Sequence, residues 1–112
     1  MKFDKAELKV KAGAGVELAF TNNDPMPMMH NLVPVKPGSR IEIVTAAATM
    51  GAAGMANSFV PESDKVLAAT PLVLTGNTYK LYFKAPTIPG KYEYICTYPG
   101  HGLTMWGTLV VE

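Results

Sequence analysis

The segment Cys96-Thr97-Tyr98-Pro99-Gly100-His101-Gly102-Leu103-Thr104-Met105 sets a thiol, an imidazole and a thioether at C-x4-H-x3-M spacing. A loop between two strands can turn all three side chains toward one point, and Pro99-Gly100 supplies a tight turn just ahead of His101. A soft thiolate, a borderline imidazole and a weak thioether suit copper far better than zinc, magnesium or calcium. Structural zinc would want four Cys or His ligands. The chain has only two histidines, His30 and His101, and one cysteine. A trigonal His2Cys site with a long axial Met105 would therefore use every His and Cys present. His30 lies far upstream, in Met28-Met29-His30-Asn31-Leu32-Val33, so a fold must bring it to the C-terminal loop.

Each residue taken alone has a plainer reading. A lone Cys in a strand is usually a small buried hydrophobe, two histidines can be incidental surface groups, and Met105 before Trp106 can be ordinary core. The set is harder to dismiss, because the loop spacing, the Pro-Gly turn and the upstream His-Asn pair would all have to coincide. Met26, Met28, Met29, Met50 and Met55 read first as adaptable apolar packing. Met28 and Met29 flank His30, and together with Pro99 and Gly100 beside His101 they are candidates for an apolar docking patch. Asp4, Glu7, Glu17 and the lysines read as solvated charges.

The elements that must hold these groups are mostly strands. Ala6, Leu8 and Val10 alternate, as do Val16, Leu18 and Phe20 after Ala12-Gly13-Ala14-Gly15, which predicts a hairpin or two neighbouring strands. Asn22-Asn23-Asp24-Pro25 breaks the chain, since Asn and Asp favour turns and Pro removes a donor. A short strand is expected over residues 31–35, closed by Lys36-Pro37-Gly38, and another over 72–74. Tyr79, Leu81 and Phe83 alternate, then Tyr92, Tyr94 and Cys96, and Leu109-Val110-Val111 closes the chain. Between the two strand-rich halves, the Ala- and Met-rich middle predicts one short helix around residues 45–57, weakened by Gly51 and Gly54. Short strands at regular spacing with one helical excursion predict an all-β, antiparallel Greek-key sandwich, with Gly90-Lys91-Tyr92 as a candidate tyrosine corner.

The chain has 112 residues, 48% of them hydrophobic and 17% charged, with a net charge of +1. That fits a single domain over 1–112 with a core of its own. It offers no concentrated basic patch for nucleic acid and no apolar run near the ~20 residues of a membrane span. Residues 1–5 carry charges with no apolar stretch behind them and do not read as a signal peptide. One cysteine excludes an internal disulfide.

On these motifs the chain resembles the cupredoxin (type 1 blue copper) family, on its azurin and auracyanin side. The resemblance implies His30, Cys96 and His101 as strong equatorial ligands and Met105 as the weak axial one. It implies that Asn31 ties the upstream loop to the Cys loop, and that Thr97 and Tyr98 offer backbone amides to the sulfur. Met29 stands where azurins have a glycine, and its carbonyl is a candidate fifth contact. The implied function is single-electron transfer through one Cu(I)/Cu(II) ion, with His101 as the electron port. The implied partners are redox proteins met in transient, mostly apolar contacts by a monomer in the periplasm or another extracytoplasmic space.

A module for copper storage, delivery or sensing would use the same ligands. An enzyme is a poorer fit. Nitrite reductases and multicopper oxidases need further His-rich sites, a dinuclear copper site needs a second Cys, and no orienting Asn or Asp stands at a recognisable spacing for Cys-nucleophile hydrolysis.

Overall fold

The alternating segments form six strands in the computed structural model, which describes residues 1–112: β1 (Glu7–Val10), β2 (Gly15–Thr21), β3 (Val33–Val35), β4 (Thr78–Lys84), β5 (Gly90–Ile95) and β6 (Trp106–Val111). They make two sheets, one ordered β1-β6-β5-β3 and the other β2-β4. The architecture is the expected all-β sandwich, with antiparallel pairing except between β1 and β6, which run parallel. The expected hairpin of the first two strands does not form. β1 joins β6 in one sheet and β2 joins β4 in the other. The Gly-rich stretch between them is a crossing from sheet to sheet, a distinction that alternation alone cannot carry.

The inward residues of both sheets meet in one core cluster: Phe20 and Leu81 from the β2-β4 pair, and Tyr92, Tyr94, Leu109 and Val111 from β5 and β6. Because strand side chains alternate, the face that buries Tyr92 and Tyr94 continues to Cys96, one residue beyond β5. Cys96 is fully buried in the same cluster. The opposite face of β3 and β5 is covered as well. Val33, Val35 and Ile95 pack there against Ile43 and Val44.

Those last two residues belong to α1 (Arg40–Ala48), which is followed by α2 (Ala53–Ala56). The single helix expected at 45–57 is thus two helices, the first beginning five residues earlier, and the chain turns between them at Gly51 with φ 61°. The strand expected at 72–74 is reduced to a single bridge, Val73 with His30. Tyr92 fulfils the corner expectation: its hydroxyl donates to the Ile88 carbonyl at 2.7 Å. No helix is long and apolar enough to cross a membrane.

Candidate metal centre

Three segments converge at one end of the sandwich. Cys96 arrives by continuing the inward face of β5. His101 follows a turn, Tyr98-Pro99-Gly100-His101, closed by the His101 amide donating to the Tyr98 carbonyl at 2.9 Å. Pro99 presets the first corner and Gly100, at φ 84°, takes the left-handed second corner that a side chain would strain. The loop is then braced from within. The Met105 amide donates to the His101 carbonyl at 2.8 Å, and the Cys96 amide donates to the Met105 carbonyl at 3.1 Å. His30 sits on a two-way backbone bridge: Val73 donates to its carbonyl at 2.7 Å and its own amide donates to Val73 at 3.3 Å.

The result is one cluster of His30, Cys96 and His101. His30 Nδ1 and His101 Nδ1 are 3.1 Å apart, and Cys96 Sγ lies 3.8 Å from the first and 3.7 Å from the second. Bonds of roughly 2.0–2.3 Å, usual for first-row metals to nitrogen and sulfur, reach all three donors from one point. His30 and His101 are each 3% exposed and Cys96 is 0% exposed. Burial pushes the Cys96 thiol above its ordinary pKa, while backbone hydrogen bonds from Asn31 and Tyr98 pull it down. Burial, followed by the neighbouring His30, holds His101 below the ordinary imidazole range. Two imidazole nitrogens and a buried thiol whose charge the protein disfavours make a donor set that a cation completes.

Met105 is buried, 4% exposed, in the core cluster that contains Cys96. Asn31, 0% exposed, ties the two halves of the site together. Its Nδ2 donates to the Thr97 hydroxyl at 2.7 Å and the Ser58 carbonyl at 2.9 Å, and its Oδ1 accepts from the Thr97 amide at 2.8 Å. The Thr97 amide is therefore spent on Asn31 and not on the sulfur. The amides that face Cys96 are those of Asn31 and Tyr98. The Tyr98 ring lies 4.7 Å from that of His101, centroid to centroid, and contacts Phe59 on its other side. His101 is thus more covered than the Gly-flanked loop suggests. Of the expected docking residues, Met28, Met29 and Pro99 are half-buried and Gly100 is exposed.

The sequence reading missed two supports and one exposed residue of the ligand loop. Asp24, legible only as a turn residue, places Oδ2 at 2.8 Å from His30 Nε2. That hydrogen bond, and a second from the Met26 amide, hold its carboxyl below the usual range. Arg40 donates from Nη1 to the Gly102 carbonyl at 3.0 Å, pairs with Glu93 at 3.5 Å and lies 4.5 Å over the Trp106 ring. Leu103, on the ligand loop itself, is 61% exposed. A Gly102 side chain is sterically barred, since its Cβ would stand 2.4 Å from Val44 Cγ2 and 2.8 Å from the Cys96 carbonyl oxygen.

The family model for copper binding proteins of the plastocyanin/azurin family matches residues 1–112. Auracyanin-A of Chloroflexus aurantiacus is 39% identical over 112 residues, covering 100% of this chain and 68% of that protein. Auracyanin-B of the same organism is 37% identical over 115 residues, covering 99% of this chain but 47% of the relative, about half its length. The structure of dithionite-reduced auracyanin from the photosynthetic bacterium Roseiflexus castenholzii superposes with a TM-score of 0.87 at 31% identity, covering 99% of this chain and 87% of that one.

Proposed function

This chain belongs to the plastocyanin/azurin family of copper-binding proteins, and we propose that it carries single electrons between redox proteins through one copper ion held by His30, Cys96, His101 and Met105. The observation that carries this reading is the triangle of two Nδ1 atoms and one Sγ with sides of 3.1, 3.7 and 3.8 Å. Copper, when bound, supplies a one-electron couple.

The residues supply the rest. Cys96 offers a thiolate whose cost of burial the Asn31 and Tyr98 amides offset only in part, and hydrogen bonds to a ligating sulfur tune its potential. Met105 offers only a weak thioether, which stabilises the oxidised ion less than a strong fourth donor would and so leaves the potential high. Asn31, Thr97 and Tyr98 keep the donors in place whether the site is oxidised or reduced, so little reorganisation accompanies each transfer. The Met29 carbonyl, which accepts no protein hydrogen bond, is the proposed fifth contact.

His101 is the electron port, reached past Pro99, Gly100 and the edge of Tyr98. Met28, Met29 and the exposed Leu103 extend the apolar rim for a small, transient contact. Residues 1–112 act as one monomeric domain with no catalytic step of their own, in an extracytoplasmic space.

Repeated voltammetric cycling of the copper-loaded protein tests this. A reversible one-electron wave that persists without metal loss is expected. Release of copper on each reduction would overturn electron carriage and favour copper delivery.

A further inference from the structure

We propose that Asp24 is a positioning residue that fixes the ring of His30 and, through its negative charge, lowers the reduction potential of the site; this rests on His30 ligating through Nδ1. A carboxylate can only accept at this position, so the 2.8 Å contact to Oδ2 places the His30 proton on Nε2. The Nδ1 lone pair is then directed at the point shared with His101 Nδ1 and Cys96 Sγ, 3.1 and 3.8 Å away. A metal-ligating imidazole is commonly oriented by a carboxylate on its other nitrogen, which also raises ligand basicity.

The carboxylate is itself held on both sides. Its Oδ1 accepts from the Met26 amide at 3.0 Å, and the Asp24 amide donates to Asn22 Oδ1 at 3.0 Å. Asn22, 2% exposed, gives Nδ2 to the carbonyls of Met28 and Val73, each at 2.8 Å. Val73 is the residue whose backbone brackets His30. One buried amide therefore clamps the loop that carries Asp24 to the strand segment that carries the ligand.

The Asp24 side chain is 16% exposed and its Oδ2 meets His30 Nε2. Its charge thus acts on the metal through one imidazole ring, with limited screening. A fixed negative charge there stabilises the more highly charged oxidised ion.

The test compares Asp24→Asn, which removes the charge and keeps one acceptor oxygen for the His30 proton at the expense of the Met26 amide, with Asp24→Ala, which removes charge and acceptors together. Metal-free protein is examined by 15N NMR of the imidazoles and copper-loaded protein by potentiometry. Wild type and Asp24→Asn are expected to show His30 protonated at Nε2, and Asp24→Ala to lose that single tautomer. Both variants should favour the reduced ion about tenfold more than wild type does, an upward shift of ~59 mV for one electron. Unchanged potentials in both variants, or a metal-free wild type with the His30 proton on Nδ1, would overturn the proposal. A wild-type protein that binds Cu(II) without a thiolate-to-copper band would overturn the ligand assignment instead. The His30 tautomer in metal-free Asp24→Ala would then decide the Asp24 contact by itself.

Discussion

At the scale of single residues, two kinds of group divide the work. In the proposed site His30, Cys96, His101 and Met105 would present donors, while Asn31 and Asp24 would hold them still. Replacing Met105 with Leu removes a weak thioether but no strong donor, so the visible band should persist and the potential should rise; potentiometry checks this, and complete loss of copper binding would show Met105 misassigned. Asn31→Ala leaves the Thr97 amide without its 2.8 Å acceptor in a fully buried place. An unfolding free energy lower by about 1–3 kcal/mol is expected in urea denaturation of the metal-free protein. His30, Cys96 and His101 were legible in the sequence because the chain has no other His or Cys, and Met105 because it shares one short loop with Cys96 and His101. Asp24 was not, because an Asn-Asp-Pro run reads as a turn whether or not the carboxylate also reaches a histidine six residues on.

At the scale of elements, the ligand loop is held against α1. Val44 fills the space that a side chain on Gly102 would need, and Arg40 caps the Gly102 carbonyl. Gly102→Ala should destabilise the protein by about 1–3 kcal/mol through overpacking and distort the copper spectrum. Adding Val44→Ala should recover only part of the loss, since the Cys96 carbonyl still stands 2.8 Å from the new methyl. Thermal unfolding of the single and double variants measures both effects. The strands were readable because alternation reports which face is buried, and Tyr92-Tyr94-Cys96 sends the thiol inward by the same rule. Strand partners were not readable. β1 lies beside β6, about a hundred residues away and parallel to it, and nothing local to Leu8 and Val10 encodes that choice. Helix α1 was placed too late because Arg40-Ile41-Glu42-Ile43-Val44 contains β-branched residues that favour strands in isolation. Packing of Ile43 and Val44 onto the outer face of β3 and β5 overrides that preference.

At the scale of the whole molecule, the net charge of +1 leaves little long-range field. Electron self-exchange between oxidised and reduced copies, followed by NMR line broadening, should therefore change less between low and high salt than the ~10-fold or more seen in steered association. A steep dependence would reveal a local charged patch at the port. The sandwich also braces the site. Its core and the Asn31 bridge hold the donor triangle from outside the site, so binding is expected to need no refolding. Titration of the metal-free protein with Cu(II), followed by visible absorption and EPR, tests the central claim most directly. One equivalent should produce an intense thiolate-to-copper band with the EPR signature of a strongly covalent copper–sulfur bond, and Cys96→Ser should abolish it. A folded protein with reduced Cys96 that takes up Cu(II) without that band would contradict it.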